Sequence, residues 1–394
     1  MRFYIGYGNK QDIFLIIVYI IKYISLKNLK NRDEIMECSN IAISRLCSQQ
    51  LASSIFKRPE EVVAWFGGVQ AQDYSGAKWA VGQRLKKCID ADIERALTEK
   101  KIVRTWAMRG TFHFVAASDI RWILALLAPR IIERNARRYR ELELDEETLM
   151  ESNEVLKNAL QDGSHLNRRE LLAILQKKGV STEGQRAHYI LQRASLDGLI
   201  CQEVMHTNNN PIYMSMDELP ETKILTRHEA LAELTKRYFT SHGPATLQDF
   251  VWWSGLLTKD AKAGMGSIES SLTSETIDGK TYWYSPSKQD IEFSSPTAHL
   301  LPSFDEYIVG YKDRSASLEK MHSKKKNIEN IMYPTIALDG QIVGTWKRKF
   351  KGNEVIMDLK PFTAFNPAEN EALDAAVHSF GEFLKMSVQT NIIV

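Results

Sequence analysis

The sequence contains few cysteines, and they are scattered. Only four occur among 394 residues (Cys38, Cys47, Cys88 and Cys201), and no two of them form a C-x-x-C pair. Zinc sites and disulfide frameworks use cysteines at short or regular spacings. The pattern therefore argues against both kinds of structure and fits a reducing compartment such as the cytoplasm.

The chain also lacks a strong charge of either sign. Its 51 basic and 49 acidic side chains leave a formal net charge of +2. A surface that binds nucleic acid must therefore come from local clustering of basic residues. The composition is otherwise that of an ordinary globular protein, with 44% hydrophobic residues. At this length we expect two to four modules.

The N-terminal region differs in composition from the rest, but it contains no apolar run of membrane-spanning length. Residues 13–21 are all apolar, which is too short a stretch to cross a bilayer. Lys22 and Tyr23 follow, where a signal peptide would have small residues. We interpret residues 1–38 as a leader that reflects an over-extended start, with Met36 as the initiator. A membrane anchor is the alternative, although we expect no membrane partner.

Familiar catalytic and cofactor motifs are missing. The sequence contains no P-loop, no G-x-S-x-G and no H-E-x-x-H. Residues 263–266 lack the third glycine and the preceding strand of a dinucleotide-binding loop. We therefore expect no nucleotide cofactor and no metal. His113 lies among apolar residues of a predicted hairpin, which is typical of a structural histidine.

What is present is a repeated order of helices followed by strand pairs. Val103–Trp106 and Thr111–Val115 flank the tripeptide Met108-Arg109-Gly110, which is a hairpin signature. We predict an α+β fold in which tandem winged-helix units precede a β-rich C-terminal module. The expected bounds are 39–140 for a first winged-helix-like unit, 141–219 for a second, 220–280 for a third, and 281–394 for the C-terminal module with a closing helix.

The most informative segment is Gly67-Gly68-Val69-Gln70-Ala71-Gln72-Asp73-Tyr74. In a helix, Gln70 and Gln72 would point about 200° apart, whereas in an extended or turn segment they share a side. The two glycines favour the extended form. Two neutral amides side by side can orient a water molecule. Asp73 is expected to cap a helix that begins near Ser75; its alternatives are a base or a charge that stabilises a cation.

Several basic side chains are candidates for contacts with DNA. Four arginines share one face of a predicted helix, and pairing with Glu133 and Glu141 is the alternative to an anion-binding surface. Three residues of a second helix lie opposite its apolar face, and a solvated face is their alternative. The two groups are Arg130, Arg134, Arg137 and Arg138, and then Arg186, Tyr189 and Arg193.

A basic strand end adds to these candidates. Trp346, Lys347 and Arg348 end a predicted strand, where they could grip a DNA backbone and stack a base. A buried tryptophan beside exposed lysines is the alternative. Arg104 and Arg109 of the predicted hairpin complete the expected DNA-binding residues.

Short motifs in the same order along the chain give it a family resemblance. They span about residues 40 to 350 and are individually weak but fairly specific together. The motifs are Gly68–Asp73, Arg109–Val115, His242–Thr246, Leu300–Tyr307, Tyr311–Arg314 and Val343–Trp346. With them the chain resembles the winged-helix DNA glycosylases of the AlkZ type, including their YcaQ-like relatives.

The resemblance implies a cleft around duplex DNA and a catalytic signature of Gln, any residue, then Gln or a carboxylate. Here the signature becomes Gln70 and Gln72, with Ala71 at a position that is often larger, and Asp73 is a third catalytic candidate. The implied reaction is hydrolysis of an N-glycosidic bond. An amide is a weak base, so the pair suits alkylpurines that already carry positive charge at N7, including crosslinks.

The expected enzyme is a monofunctional glycosylase that binds duplex DNA as a monomer, in the cytoplasm and at the nucleoid. Two alternatives remain open from the sequence. The first is a non-catalytic winged-helix regulator, which would bind undamaged DNA selectively and often as a dimer. The second is a protein-interaction module that has lost DNA binding, which would show no salt-dependent retention on DNA.

Overall fold

The computed structural model describes residues 38–206, 210–220, 222, 224–286, 293–318 and 333–393. The expectation of an over-extended leader at 1–38 falls almost wholly outside the described residues. Residues 206–210, for which the turn-rich sequence of the second unit predicts a wing between two strands, also fall partly outside them. Among the described residues, no helix combines the length and apolarity that crossing a membrane would require.

The N-terminal half is mostly helical, and apolar residues at helical spacing produce its buried faces. Its helices are α1 (Cys38–Ser48), α2 (Pro59–Phe66), α3 (Tyr74–Gly82), α4 (Asp90–Thr98), α5 (Ile120–Glu141), α6 (Glu146–Ala159), α7 (Arg168–Lys177) and α8 (Arg186–Leu196). Further along the chain lie α9 (Arg227–Ser241), α10 (Leu247–Ser254), α11 (Thr258–Ile268), the short α12 (Glu306–Val309) and α13 (Pro367–Leu384).

A six-stranded sheet joins the first two expected units. Its strands are β1 (Val69–Gln70), β2 (Ile102–Trp106), β3 (Phe112–Ala116), β4 (Leu166–Asn167), β5 (Ile200–His206) and β6 (Asn210–Ser215). Their order is β1-β3-β2-β5-β6-β4, so the hairpin of the first unit meets that of the second. Arg104 pairs with Gln202 at the junction. The short strand β1 forms one edge of this sheet.

The third expected unit follows as three helices, α9 to α11, and then a separate two-stranded sheet. Its strands are β7 (Thr273–Ile277) and β8 (Lys280–Tyr284). This hairpin crosses the boundary that we placed at residue 280. Trp253 of α10 is fully buried, whereas its neighbour Trp252 is 41% exposed.

The C-terminal module is a five-stranded sheet in the order β13-β12-β11-β10-β9, as the β-rich prediction requires. Its strands are β9 (Ala298–Leu301), β10 (Thr335–Leu338), β11 (Gln341–Lys351), β12 (Glu354–Pro361) and β13 (Ser387–Ile392). Phe380 of α13 contacts the rings of both Trp79 and Trp346, so one core spans α3, α13 and this sheet. The C-terminal module thereby packs directly behind the segment that contains the glutamine pair.

Candidate active site

The glutamine segment is extended, as predicted. Helix α2 ends at Phe66, and Gly67 follows with a φ of 78°, a left-handed conformation that glycine adopts without steric cost. Strand β1 then pairs antiparallel with β3, with Gln70 opposite His113. The Gln70 Nε2 atom donates a hydrogen bond to Gln72 Oε1 at 2.7 Å. The two amides therefore lie side by side.

The pair runs from the protein interior to its surface. Gln70 is only 6% exposed, whereas Gln72 is exposed. Since Gln70 is held by protein groups, Gln72 presents the solvent-facing amide of the pair. A polar group fixed from behind in this way needs little reorganisation when a substrate arrives.

Arg109 fixes the oxygen end of the Gln70 amide. Its guanidinium donates to Gln70 Oε1 at 2.7 Å and also to the carbonyl oxygen of Trp253. Arg109 lies in the turn between β2 and β3. Its φ of 58° is a left-handed backbone conformation, which makes the turn tight at this point. Burial lowers the pKa of Arg109, and the negative charge of Glu306 opposes that shift. We predicted Arg109 as a DNA contact, and the structure places it against a candidate catalytic residue.

Glu306 is a site residue that our sequence analysis missed. It is 1% exposed, and its Oε1 accepts the backbone N–H of Gln70 at 2.8 Å. Its Oε2 accepts the indole N–H of Trp253 at 2.9 Å and lies 3.4 Å from His242 Nε2. Burial alone would raise the pKa of Glu306, but hydrogen bonds from His242 and the Gln70 N–H lower it to about 2. Burial lowers the pKa of His242, which favours a neutral ring beside the ionised carboxylate.

The motifs that carried the family resemblance meet behind the glutamine pair. Asp305, which precedes Glu306 in the chain, forms a buried ion pair with Arg84 at 2.7 Å. The Tyr311 hydroxyl donates to the His242 carbonyl at 2.8 Å, and the Tyr307 hydroxyl donates to the Gly340 carbonyl. The signal that could have identified Glu306 was the presence of two adjacent acids inside an otherwise apolar motif.

Asp73 has the predicted geometry of a helix cap. It is the N-cap of α3, and its side chain accepts the Gly76 N–H at 3.0 Å. An Arg348 nitrogen also lies 3.4 Å from Asp73 Oδ2. The carboxylate thus has two partners within the protein.

Arg104 supports the same segment from inside the sheet. Its side chain is 5% exposed, donates to the Ala71 carbonyl at 2.9 Å, and lies 3.9 Å from the centre of the Phe112 ring. Burial lowers its pKa to about 10. This burial argues against the DNA contact that we predicted for Arg104, because its donors face protein atoms.

Three of the four candidate arginines of α5 are paired along the helix, as our alternative interpretation had it. Arg130 pairs with Glu133 at 2.6 Å, while Arg137 and Arg138 both pair with Glu141. Arg134 is exposed and has no ion-pair partner among the residues that the structure describes. Its positive charge contributes to lowering the pKa of Arg109, which places it near the site.

The three candidates on α8 are also engaged within the protein. Arg186 donates to the carbonyl oxygens of Leu142 and Glu143, just beyond the C-terminus of α5. The other two have partners as well: Arg193 pairs with Glu146 at 2.6 Å and Asp197 at 2.8 Å, and the Tyr189 ring contacts that of Tyr139. These contacts compete with any contact to phosphate.

The prediction that Trp346 stacks on a base is wrong. Trp346 is 1% exposed, and its indole donates to the Leu301 carbonyl at 2.9 Å, because even-numbered residues at the start of β11 face the core. Lys347 is exposed on the opposite face. Arg348 lies against Asp73, so the basic strand end does reach the glutamine segment.

Comparisons with known proteins identify the family and the fold of the chain. The family model "DNA glycosylase AlkZ-like" matches residues 63–383. An interstrand DNA cross-link repair glycosylase from Streptomyces sahachiroi is 25% identical over 339 residues, which cover 80% of this chain and 88% of that relative. The solved structure of the Streptomyces sahachiroi DNA glycosylase AlkZ has the same fold, with a TM-score of 0.72 at 20% identity, covering 90% of this chain and 99% of that one.

The α+β fold is thus shared with a solved DNA glycosylase structure. The chain belongs to the AlkZ-like DNA glycosylase family, whose members hydrolyse N-glycosidic bonds. The family membership that the sequence motifs suggested is confirmed.

Proposed function

We propose that this protein is a monofunctional DNA glycosylase that releases N7-alkylated, cationic purines, including crosslinked ones, from duplex DNA. The observation on which the proposal rests is the hydrogen bond from Gln70 to Gln72, because it holds the exposed amide of Gln72 in place. The cross-link repair activity in the name of the Streptomyces sahachiroi relative supports the choice of lesion.

The chemistry follows from the groups that hold Gln70. Its amide nitrogen donates to Gln72 and its oxygen accepts from Arg109, so the orientation of Gln70 is set on both sides. Gln72 then orients a water molecule towards C1′ of the sugar, which removes much of the entropy cost of the attack. An amide accepts a proton poorly. The leaving base must therefore already carry positive charge, as an N7-alkylpurine does.

The neighbours of Gln70 also favour hydrolysis over lyase chemistry. Its described side-chain and backbone contacts come from an amide, a guanidinium and a carboxylate, and none of these groups is an amine nucleophile. The proposed product is an abasic site. Because Asp73 is engaged by the α3 N-terminus and by Arg348, we assign it a structural and electrostatic role.

The duplex is proposed to lie across the exposed side of the glutamine pair. Arg134 and Lys347 are exposed and are proposed to contact phosphates. The order of helices and hairpins supports tandem winged-helix units. The proposal includes binding of the duplex as a monomer, at the nucleoid in the cytoplasm.

A single-turnover excision assay tests the proposal. The substrates are duplexes that carry one N7-methylguanine or one N7-linked interstrand crosslink, and the readouts are released base and abasic sites. We expect release by the wild type, and a loss of roughly a hundredfold or more in the Gln70→Ala, Gln72→Ala double variant.

The matched control is Gln161→Ala, which removes an exposed glutamine outside the site and should leave the rate unchanged. Binding of each variant to a duplex with an abasic analogue separates chemistry from affinity. Full activity of the double variant would exclude the glutamine pair as the site, and no release from either substrate by the wild type would exclude the proposed lesion class.

A further inference from the structure

Glu306 joins three segments that are far apart in the chain. It is 236 residues from Gln70, 64 from His242 and 53 from Trp253, yet it contacts all three. The carboxylate is too deeply buried to meet a substrate directly. Any role in base release must therefore act through the residues that it holds.

The first such residue is Gln70, because β1 is an edge strand. The N–H of Ala71 points towards β3 and donates to the Phe112 carbonyl at 2.7 Å. The N–H of Gln70 points the other way, where the sheet has no further strand among the residues that the structure describes. A buried N–H without a partner is costly, and Glu306 accepts it at 2.8 Å. The carboxylate thus takes the place of a neighbouring strand at the position of the candidate catalytic glutamine.

The second effect concerns charge. The guanidinium of Arg109 lies against Gln70, and its positive charge would oppose a cationic purine and a cationic sugar in the transition state. The negative charge of Glu306 interacts with the guanidinium of Arg109 and opposes the lowering of the Arg109 pKa by burial. The other titratable groups that interact with Glu306 include His242, which contacts it, His113 and Tyr238. Burial lowers the pKa of both histidines and raises that of Tyr238. An ionised Glu306 therefore offsets Arg109.

We propose that Glu306 is a positioning residue for base release, which fixes the backbone of Gln70 and balances the charge of Arg109 so that the site can host a cation. This inference rests on the proposed function. It goes beyond the glutamine pair by assigning a role to a residue that does not touch the substrate.

The test compares Glu306→Gln with Asp119→Asn. The first substitution keeps the shape of the side chain and removes its charge. The second makes the same change at a carboxylate that accepts an indole N–H from Trp122 at 3.0 Å, much as Glu306 accepts one from Trp253, but that has no described contact with Gln70. Both variants are assayed for single-turnover release of N7-methylguanine, for binding to an abasic-analogue duplex, and for unfolding in urea.

We expect Glu306→Gln to slow base release by about tenfold to a hundredfold, because small displacements of a positioned group have effects of this size. Its affinity for the abasic-analogue duplex should stay within about twofold of wild type. Asp119→Asn should match the wild-type rate even if it unfolds at lower urea. A wild-type rate in Glu306→Gln, or an equal loss in both variants, would overturn the inference.

A spectroscopic measurement on the wild type tests the contact independently of folding in the variant. In protein labelled with ¹⁵N only at glutamine, the Gln70 backbone amide, assigned by its absence in Gln70→Asn, should resonate far downfield because its acceptor is charged. An ordinary shift would overturn the inference. If the wild type releases no base, the proposed function fails, and this amide still decides whether Glu306 holds the strand.

Discussion

The glutamine segment and the arginine face of α5 use polar residues in opposite ways. At the segment, the Gln70 side chain is buried, and the partners of this residue, Arg109 and Glu306, come from remote parts of the chain. On α5, Arg130, Arg137 and Arg138 are paired with glutamates three or four residues away. The first arrangement sets a geometry that only the complete fold provides, whereas the second neutralises charge along one helix.

The two regions differ in how strictly the positions of their polar side chains are fixed. Buried polar groups are costly unless every partner is present, so a change at one of them affects stability and geometry together. Exposed pairs on a helix are weak and tolerant of change.

The largest effect is expected at the buried ion pair next to Glu306. Arg84→Met would leave Asp305 unpaired at a position with no exposed surface, and we expect a loss of about 3–5 kcal/mol in the free energy of unfolding. The exposed pair partner Arg137→Ala should lose less than about 0.5 kcal/mol. Urea denaturation measures both.

The double variant Arg84→Met, Asp305→Asn should recover part of the loss, because no unpaired buried charge remains. Equal effects of Arg84→Met and Arg137→Ala would contradict the contrast between the two regions.

A smaller effect is expected from pH, and it should arise from the buried region. Burial lowers the pKa of His113 and of His299 to about 4, against an ordinary value of 6.5. Between those values the unfolded chain binds protons that the folded protein does not. Acidification from pH 6.5 to 5.5 should therefore reduce the free energy of unfolding by about 1 kcal/mol for each histidine.

Urea denaturation at a series of pH values measures this slope. In His299→Gln the slope should be about half as steep where these two histidines dominate. An unchanged slope would show that His299 is protonated equally in both states.

The smallest effect is expected on the exposed arginines themselves. Arg134 is exposed and unpaired among the described residues, whereas Arg137 is held by Glu141. Arg134→Ala should lower the slope of log affinity for duplex DNA against log salt concentration by about one. Arg137→Ala is the matched variant and should change the slope less. Equal slopes for wild type and Arg134→Ala would remove Arg134 from the proposed DNA surface.

Local sequence rules predicted much of the secondary structure. The turn at Asp339-Gly340 has positive φ values of 48° and 81°, as expected between two strands. Asn366 caps α13 by accepting the Glu369 N–H. Strand β13 was not predicted. It is mostly exposed, so it lacks an alternating apolar pattern, and its parallel pairing with β12 cannot be seen in the local sequence.

The site was predicted in part. Gln70, Gln72 and Asp73 lie together as expected, and Arg109 is adjacent to them in a role that differs from the predicted one. Arg104 and Trp346 were assigned to a DNA surface and are buried instead. The sequence of a strand does not show which of its two faces is buried. Whether a basic or aromatic residue is exposed therefore depends on which elements pack against the sheet.

The extended shape of the glutamine segment, the cap at Asp73 and the family of the chain follow from the sequence, because they depend on neighbouring residues and on motif order. By contrast, the bond from the Gln70 N–H to Glu306 and the bond from Arg109 to the Gln70 oxygen depend on the complete fold. Those contacts join residues 236 and 39 positions apart. They form only when the whole chain excludes water from the space between the segments, since burial is what makes the partner of each polar group obligatory.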